Sequence, residues 1–384
     1  MIRDIWTSHR ALVIAFGAIA LVTMLATSLL LVVMSGGTAQ SRATPRPTAT
    51  ASASPLATDS PAPSNSPTPT ADLGPTPLPA GLAYADLDGV AAPVDQAHRL
   101  PLAIMIDDQQ LARPQSGISS ASIVYQAPAD GDADRYMFVF QEGTATDIGP
   151  VRSARPYYVY WAAEYKALFG HFGGDANALQ RVIPAMAKNI YNMDDLNGGS
   201  CPYHRITTRS SPHNAYTNST ILISCLAKKG YPPTYQSLPT RPFKGDLPLV
   251  QRPASQVISI AYPTGAVGYQ YDPTTDSYLR LISGKPEIDP ANNQQVFGRN
   301  IIVMYQAVSI DPYSEYDHAR PDVANVGSGK AIVFQEGSQI VATWKKTSNT
   351  DLTRFYDASG SEMELVRGEI FMQSIPPPYA VTVK

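Results

Sequence analysis

Two arginines stand three residues apart in the stretch GPVRSARPYYVY, residues 149–160, of a chain whose formal net charge is only −3. If Pro156 opens a helix, Arg152 and Arg155 lie just ahead of its N-terminus. Unpaired N–H groups and the helix dipole already favour anions there. Two guanidiniums so close repel each other and call for a counter-charge. One source is internal: Asp107, Asp108, Asp130, Asp132 or Asp134 folding back into a buried ion-pair network. The other is a ligand bearing carboxylate or phosphate, which arginine recognises bidentately. Arg113 and Arg135 fall at strand edges of the same region and are candidates for the same anion site.

Acid–base chemistry has its own candidates in Asp107, His171 and His213. His171 lies in LFGHFGGDA, where glycines permit close approach of the backbone to a ligand. His213 lies in SSPHNAYT, with Ser210 or Ser211 as candidate helix caps and Asn214 as a local hydrogen-bonding group and candidate ligand contact. A lone loop histidine is more often a packing element than a catalyst, so these residues define an enzymatic alternative. No GxSxG elbow is present for nucleophilic catalysis. Cys201, in GGSCPYHR, has His204 three residues on, but catalytic Cys/His pairs meet in space rather than in sequence. Asp107 with Asp130 or Glu164 is a conceivable glycosidase pair whose separation the sequence does not fix. There is no HExxH, so no metal or other cofactor is expected. The mildly acidic balance and the lack of a basic stripe argue against nucleic acid. The 21 tyrosines, against 10 phenylalanines, suit sheet faces and, less commonly, sugar-stacking surfaces.

Elements that could position these residues follow from patterning. Apolar runs of strand length, rich in Val, Ile, Tyr and Phe, recur at 102–106, 122–126, 135–141, 256–262, 300–308, 330–335 and 339–346. Helical patterns are fewer. PYYVYWAAEYKALF (156–169) opens on proline and closes before Gly170. DANALQRVIPAMAK (175–188) has Asp175 as a candidate N-cap and a proline to shorten it. SPHNAYTNSTILISCLAKKG (211–230) ends on two lysines and a glycine. The fold class expected is α+β, with an α+β lobe at 95–230, a Pro-rich linker at 231–254 and a β-rich lobe at 255–384.

The N-terminal part is different material. Residues 11–34 hold no charge and are 24 long, enough to cross a hydrocarbon core of roughly 30 Å. Arg3 and Arg10 outweigh Asp4, which keeps residues 1–10 cytoplasmic. The expectation is a single-pass anchor in the cytoplasmic membrane with everything after it outside; a cleaved signal peptide is the alternative. Of residues 41–80, 31 are Pro, Ser, Thr or Ala, so 35–80 offers no apolar face and is expected to be a disordered stalk. Beyond the membrane, Cys201 and Cys225 could form a disulfide or remain two buried thiols.

RLPLAIMIDDQQLARPQSG, IVY, GPVRSARP, HFGG, SPHNAYT and NVGSGKAIVFQEGSQIVATWKK come in an order that resembles the DUF3048 family of bacterial proteins. The resemblance spans about 95–384 and is most specific at GPVRSARP and PHNAYT. IMIDD stands where the family pattern has IMIDN, ADGDADRYM where it has a Glu-Gly pair, and the lipobox cysteine is missing, so a protein helix replaces the lipid anchor. The family is one of unknown function; the resemblance implies an architecture and an extracytoplasmic address, not a reaction. Together these readings predict an envelope protein binding peptidoglycan or another anionic envelope polymer, or an envelope protein partner, through Arg113, Arg135, Arg152, Arg155 and Asn214. A peptidoglycan-acting enzyme using Asp107, His171 and His213 is the alternative, and a protein-partner adaptor the third.

Overall fold

The computed structural model describes residues 77–384, apart from 132, 199–202, 236–237, 263–264, 315–317 and 378. The expected anchor at 11–34, nearly all of the stalk, and Cys201 lie outside the described residues. Among the described residues, no helix is long and apolar enough to cross a membrane.

Strands dominate, as the patterning predicts. Those of the two larger sheets are, in chain order, β1 (Leu102–Asp107), β2 (Ile123–Pro128), β3 (Asp134–Phe140), β4 (Leu168–His171), β5 (Tyr191–Asp194), β6 (Val257–Tyr262), β7 (Gly265–Asp272), β8 (Ser277–Ile282), β9 (Lys285–Pro286), β10 (Phe297–Gly298), β11 (Asn300–Tyr305), β12 (Gly327–Gln335), β13 (Ser338–Lys346), β14 (Arg354–Tyr356), β15 (Ile370–Ile375) and β16 (Val381–Val383). Ten of them make one mixed sheet in the order β14-β13-β12-β11-β15-β2-β3-β1-β4-β5, and the other six a second sheet, β9-β8-β7-β6-β16 with β10 beside β8.

The first sheet draws on both halves of the chain. β15 runs parallel to β2, pairing Ile370 with Ile123, and parallel to β11, pairing Asn300 with Ile370. The boundary expected between two lobes therefore does not separate two sheets. The central strands show why: β1, β3 and β15 are buried along their whole length, and a strand apolar on both faces needs cover on both. Alternation assigns the faces. Ala103 and Met105 pack with Tyr157, Tyr158 and Trp161 of helix α1 (Pro156–Ala163). Leu102, Ile104 and Ile106 pack with Ile258, Ile260, Tyr269 and Tyr271 of the second sheet.

The helices are shorter than the patterns suggest. α1 does begin on proline but ends at Ala163; the chain reverses at Lys166, whose φ is +48°, and Leu168–His171 becomes β4, parallel to β1. Residues 175–188 form a π-helical turn, Ala178–Val182, running into Ile183–Ala185, although Asp175 Oδ1 accepts the Ala178 N–H at 2.8 Å as a cap would. In the third segment the helix, α2 (Ser219–Lys228), starts eight residues late and is capped by Asn218, which accepts from Ile221 N at 2.8 Å; Ala215–Tyr216 is extended instead and pairs with His204–Arg205. The Pro-rich segment is laid against the fold: Arg241 is 4% exposed and donates to Thr353 O at 3.0 Å.

Candidate functional site

The segment carrying Arg152 is threaded between two others, and this assembles the site. On one side Asp107 N donates to Pro150 O and Arg152 N to Met105 O, both at 2.9 Å; on the other Val151 N donates to Ala215 O at 2.7 Å, and Ile148 and Thr217 exchange a pair of hydrogen bonds. The approach is close enough that a Cβ on Gly149 would meet the Tyr216 ring at 2.6 Å, so only glycine fits. The ends of IMID, GPVRS and PHNAYT, more than 100 residues apart at the extremes, thereby meet.

At the meeting point stands Asp107, 1% exposed. His213 Nδ1 lies 2.7 Å from its Oδ2 and Arg152 Nε 2.9 Å from the same oxygen. Gln109 N donates to Oδ1 at 3.1 Å. The Arg152 contact is ionic rather than a hydrogen bond, because its Nε–H makes no hydrogen bond with described residues. With Asp107 accepting from Nδ1, the free corner of the His213 ring is Nε2. Neither Nε2 nor the terminal nitrogens of Arg152 hydrogen-bond to another described residue, and the Arg152 side chain is 21% exposed. Asn214 follows, its Oδ1 accepting from Arg205 Nη1 at 2.5 Å. Arg209 Nη2 donates to Pro114 O at 2.7 Å, holding the loop that carries His213.

The other three arginines are placed elsewhere, each with an internal carboxylate. Arg113 Nε donates to Asp108 Oδ1 at 2.8 Å. Arg155, 5% exposed, grips both oxygens of Asp130, with Nε at 2.9 Å from Oδ1 and Nη2 on Oδ2, and its Nη1 lies 3.6 Å from Asp175. Arg135 is 4% exposed and donates to Ser153 O at 2.9 Å, with Nη2 4.0 Å from Asp130. Arg320 brings a third guanidinium to within 4.0 Å of Asp130. Burial, and then the neighbouring Arg155, push Arg135 down to about 10. Burial works to raise Asp130, but Arg155, Arg135 and Arg320 hold it below the usual carboxylate range.

His171 stands apart from Asp107. It is fully buried, with Nδ1 2.7 Å from Gly173 O and Nε2 2.8 Å from Asn192 Oδ1; both ring nitrogens are engaged and no face is open to a substrate. Cys225, 4% exposed, is disulfide-bonded. Among the described residues no group of three or more His, Cys, Asp or Glu could hold a metal ion.

One network escaped the sequence reading. Arg280, wholly buried, donates from Nε to Glu287 Oε2 at 2.6 Å, from Nη1 to Tyr269 Oη at 2.7 Å, and from Nη2 to Tyr136 Oη at 2.7 Å and Gln126 Oε1 at 3.2 Å. Gln126 Nε2 donates in turn to Asp108 Oδ2 at 3.1 Å, so the network joins the two sheets. Its signal was strand parity: Arg280 shares the face of Tyr278, the buried side of β8.

Comparison with known proteins then places the chain. Residues 87–232 match the protein of unknown function (DUF3048) N-terminal domain, and residues 258–372 match its C-terminal domain. This chain belongs to the DUF3048 family. A family relative, the Bacillus subtilis (strain 168) protein named "Putative lipoprotein YerB", is 27% identical over 298 residues, covering 76% of this chain and 86% of its own length. The crystal structure of the YerB protein from Bacillus subtilis superposes with a TM-score of 0.69 at 25% identity, over 79% of this chain and 99% of that one. For a DUF3048 protein the family therefore supplies the fold and no reaction.

Proposed function

We propose that this protein is a membrane-anchored, extracytoplasmic envelope protein that grips an anionic group of a cell-envelope polymer between Arg152 and His213. The observation that carries the reading is the shared anchor: both side chains are held by their inner nitrogens on one buried oxygen of Asp107. Both side chains are thereby tethered to one fixed point before a ligand arrives, and pre-organisation lowers the entropic cost of binding. The uncharged stretch 11–34 and the lipoprotein name of the relative support the address. Charged His213 offers Nε2 as a donor to carboxylate or phosphate. Neutral His213 offers it as a base oriented by Asp107, which is the basis of the enzymatic alternative.

The test uses the full chain in detergent micelles, incubated with isolated cell-wall sacculi. The pellet is assayed for bound protein and the supernatant for released muropeptides. Retention without release, lost in Arg152→Ala and in Asp107→Asn, is the expected result. Release that disappears in His213→Ala replaces the binding reading with the enzymatic one. Neither retention nor release rules out both and leaves a protein partner.

A further inference from the structure

A cavity far along the chain from Asp107 has a different chemistry. It lies between the start of α1, the π-helical turn and the loop at 311–313, and it encloses about 350 Å³. That is near the lower end of the range for small-ligand sites. Its walls include Tyr160, Asn177, Arg181, Asp311, Tyr313 and Asp322.

The polar groups there are fixed in place. Asn177 Nδ2 donates to both oxygens of Asp311, at 3.1 and 2.9 Å, and Tyr313 N donates to Asp311 Oδ1 at 2.9 Å. Asp311 is 2% exposed, so its orientation is set before any ligand arrives. Tyr313 is 51% exposed, and the Arg181 guanidinium lies 3.9 Å from its ring centroid. Arg181 belongs to the π-helical turn Ala178–Val182, a rare conformation that recurs at functional sites.

Three ligand classes can be compared against these walls. An apolar ligand would desolvate carboxylates and a guanidinium without pairing them. An anion would meet Asp311 and Asp322 against the single guanidinium of Arg181. The negative potential is felt within the cavity: burial, then Asp311, push the Asp322 carboxyl up, and burial, then Asp322 and Asp311, push up the Tyr160 phenol. A sugar ring fits what remains. Its C–H face can stack on an exposed tyrosine, and its hydroxyls can both donate to carboxylates and accept from amide and guanidinium groups.

We infer that this cavity is a glycan-binding site, taking a neutral or amino pyranose through stacking on Tyr313 and hydrogen bonds to Asp322, Asn177 and Arg181. It is independent of the anion site at Arg152, and either can stand without the other.

The experiment is saturation-transfer NMR and calorimetry on the full chain in detergent micelles, with the N-acetylglucosamine trimer, the glucosamine trimer and lysine amide as probes. Binding of at least one trimer is expected. Tyr313→Ala should weaken it at least tenfold, or about 1.4 kcal/mol, Tyr313→Phe should retain it, and Arg152→Ala should leave it unchanged. Tyr313 is half exposed, so its variants leave the core intact; circular dichroism confirms folding before binding is read. Three results each overturn the inference: no signal from either trimer, lysine amide binding as tightly as the glucosamine trimer, or unchanged affinity in Tyr313→Ala.

Discussion

Arg152 and Arg155, three residues apart, should behave as opposites when each is replaced by alanine. Arg155 is 5% exposed and holds Asp130 with two parallel contacts. Removing it strands a carboxylate and leaves Arg135 and Arg320 as its remaining partners, each at 4.0 Å. Breaking a buried pair costs about 3–5 kcal/mol; the Asp130 side chain is 32% exposed, so water recovers part of its solvation and about 3 kcal/mol is expected. Arg152 makes no side-chain hydrogen bond to described residues, and Asp107 keeps His213 Nδ1 and Gln109 N when it is gone. Asp107 is 1% exposed, but the two hydrogen bonds it retains keep its carboxylate paired, so the loss should be about 1 kcal/mol, the order of one net hydrogen bond. In a large domain each kcal/mol moves Tm by roughly 2 °C, giving falls of about 6 °C for Arg155→Ala and about 2 °C for Arg152→Ala. Differential scanning calorimetry on both variants decides the matter. Equal losses, or a larger loss from Arg152→Ala, would show that Arg152 is structural and remove the argument for a ligand at that guanidinium.

Three further outcomes follow from the buried charges. Arg280→Met should cost about 3–5 kcal/mol in urea unfolding by stranding Glu287, and adding Glu287→Leu should recover part of it. Lys346→Met should lose a similar amount, because Lys346 Nζ lies 2.8 Å from Glu164 Oε1 with both side chains fully buried; Glu164→Gln beside it should be milder, since Thr353 still donates through Oγ1. Glu369 is pushed up to about 7 by burial and then by Glu142. The folded state therefore holds that proton where the unfolded chain has released it, and stability should fall as pH rises from about 4.5 to about 7. Glu369→Gln should flatten that part of a stability–pH curve measured by urea midpoints.

The strands were legible because their signal is local and the core obeys it: the runs at 102–106, 135–141 and 339–346 fall within β1, β3 and β13 to within a residue or two. What the sequence could not show was which strands share a sheet. Parallel partners such as Ile123 and Ile370 lie far apart in sequence, and nothing in either strand marks the other. Helix ends were lost for a related reason. Leu168 and Phe169 continue a helical pattern, but the free edge of β1 offers them backbone partners, and tertiary pairing overrides propensity. The site was half legible. Asp107, Arg152 and His213 were each singled out, yet their meeting depends on the 148–152 segment being paired on both sides. His171 carried the same signal but is buried away from Asp107 with both ring nitrogens engaged.

Backbone alternation explains how like charges come to be neighbours in sequence at all. Asp107 and Asp108 are adjacent, and successive residues of an extended chain face opposite ways. Asp107 follows Ala103 and Met105 to the side where Arg152 and His213 wait; Asp108 follows Ile104 and Ile106 toward the second sheet, where Arg113 and the Arg280 network take it up. Arg152 and Arg155 are an odd number of positions apart on a chain that is extended at Arg155, so they too diverge, one to Asp107 and the other to Asp130. Each pair of like charges is split between two neighbourhoods, and each member meets charges of the opposite sign there. The spacing that reads as a single four-arginine cluster therefore sends Arg152 to Asp107 and Arg113 to Asp108, while Arg135 and Arg155 share Asp130. It leaves Arg152 as the guanidinium of those four that is held in place at Nε and still open at its tip.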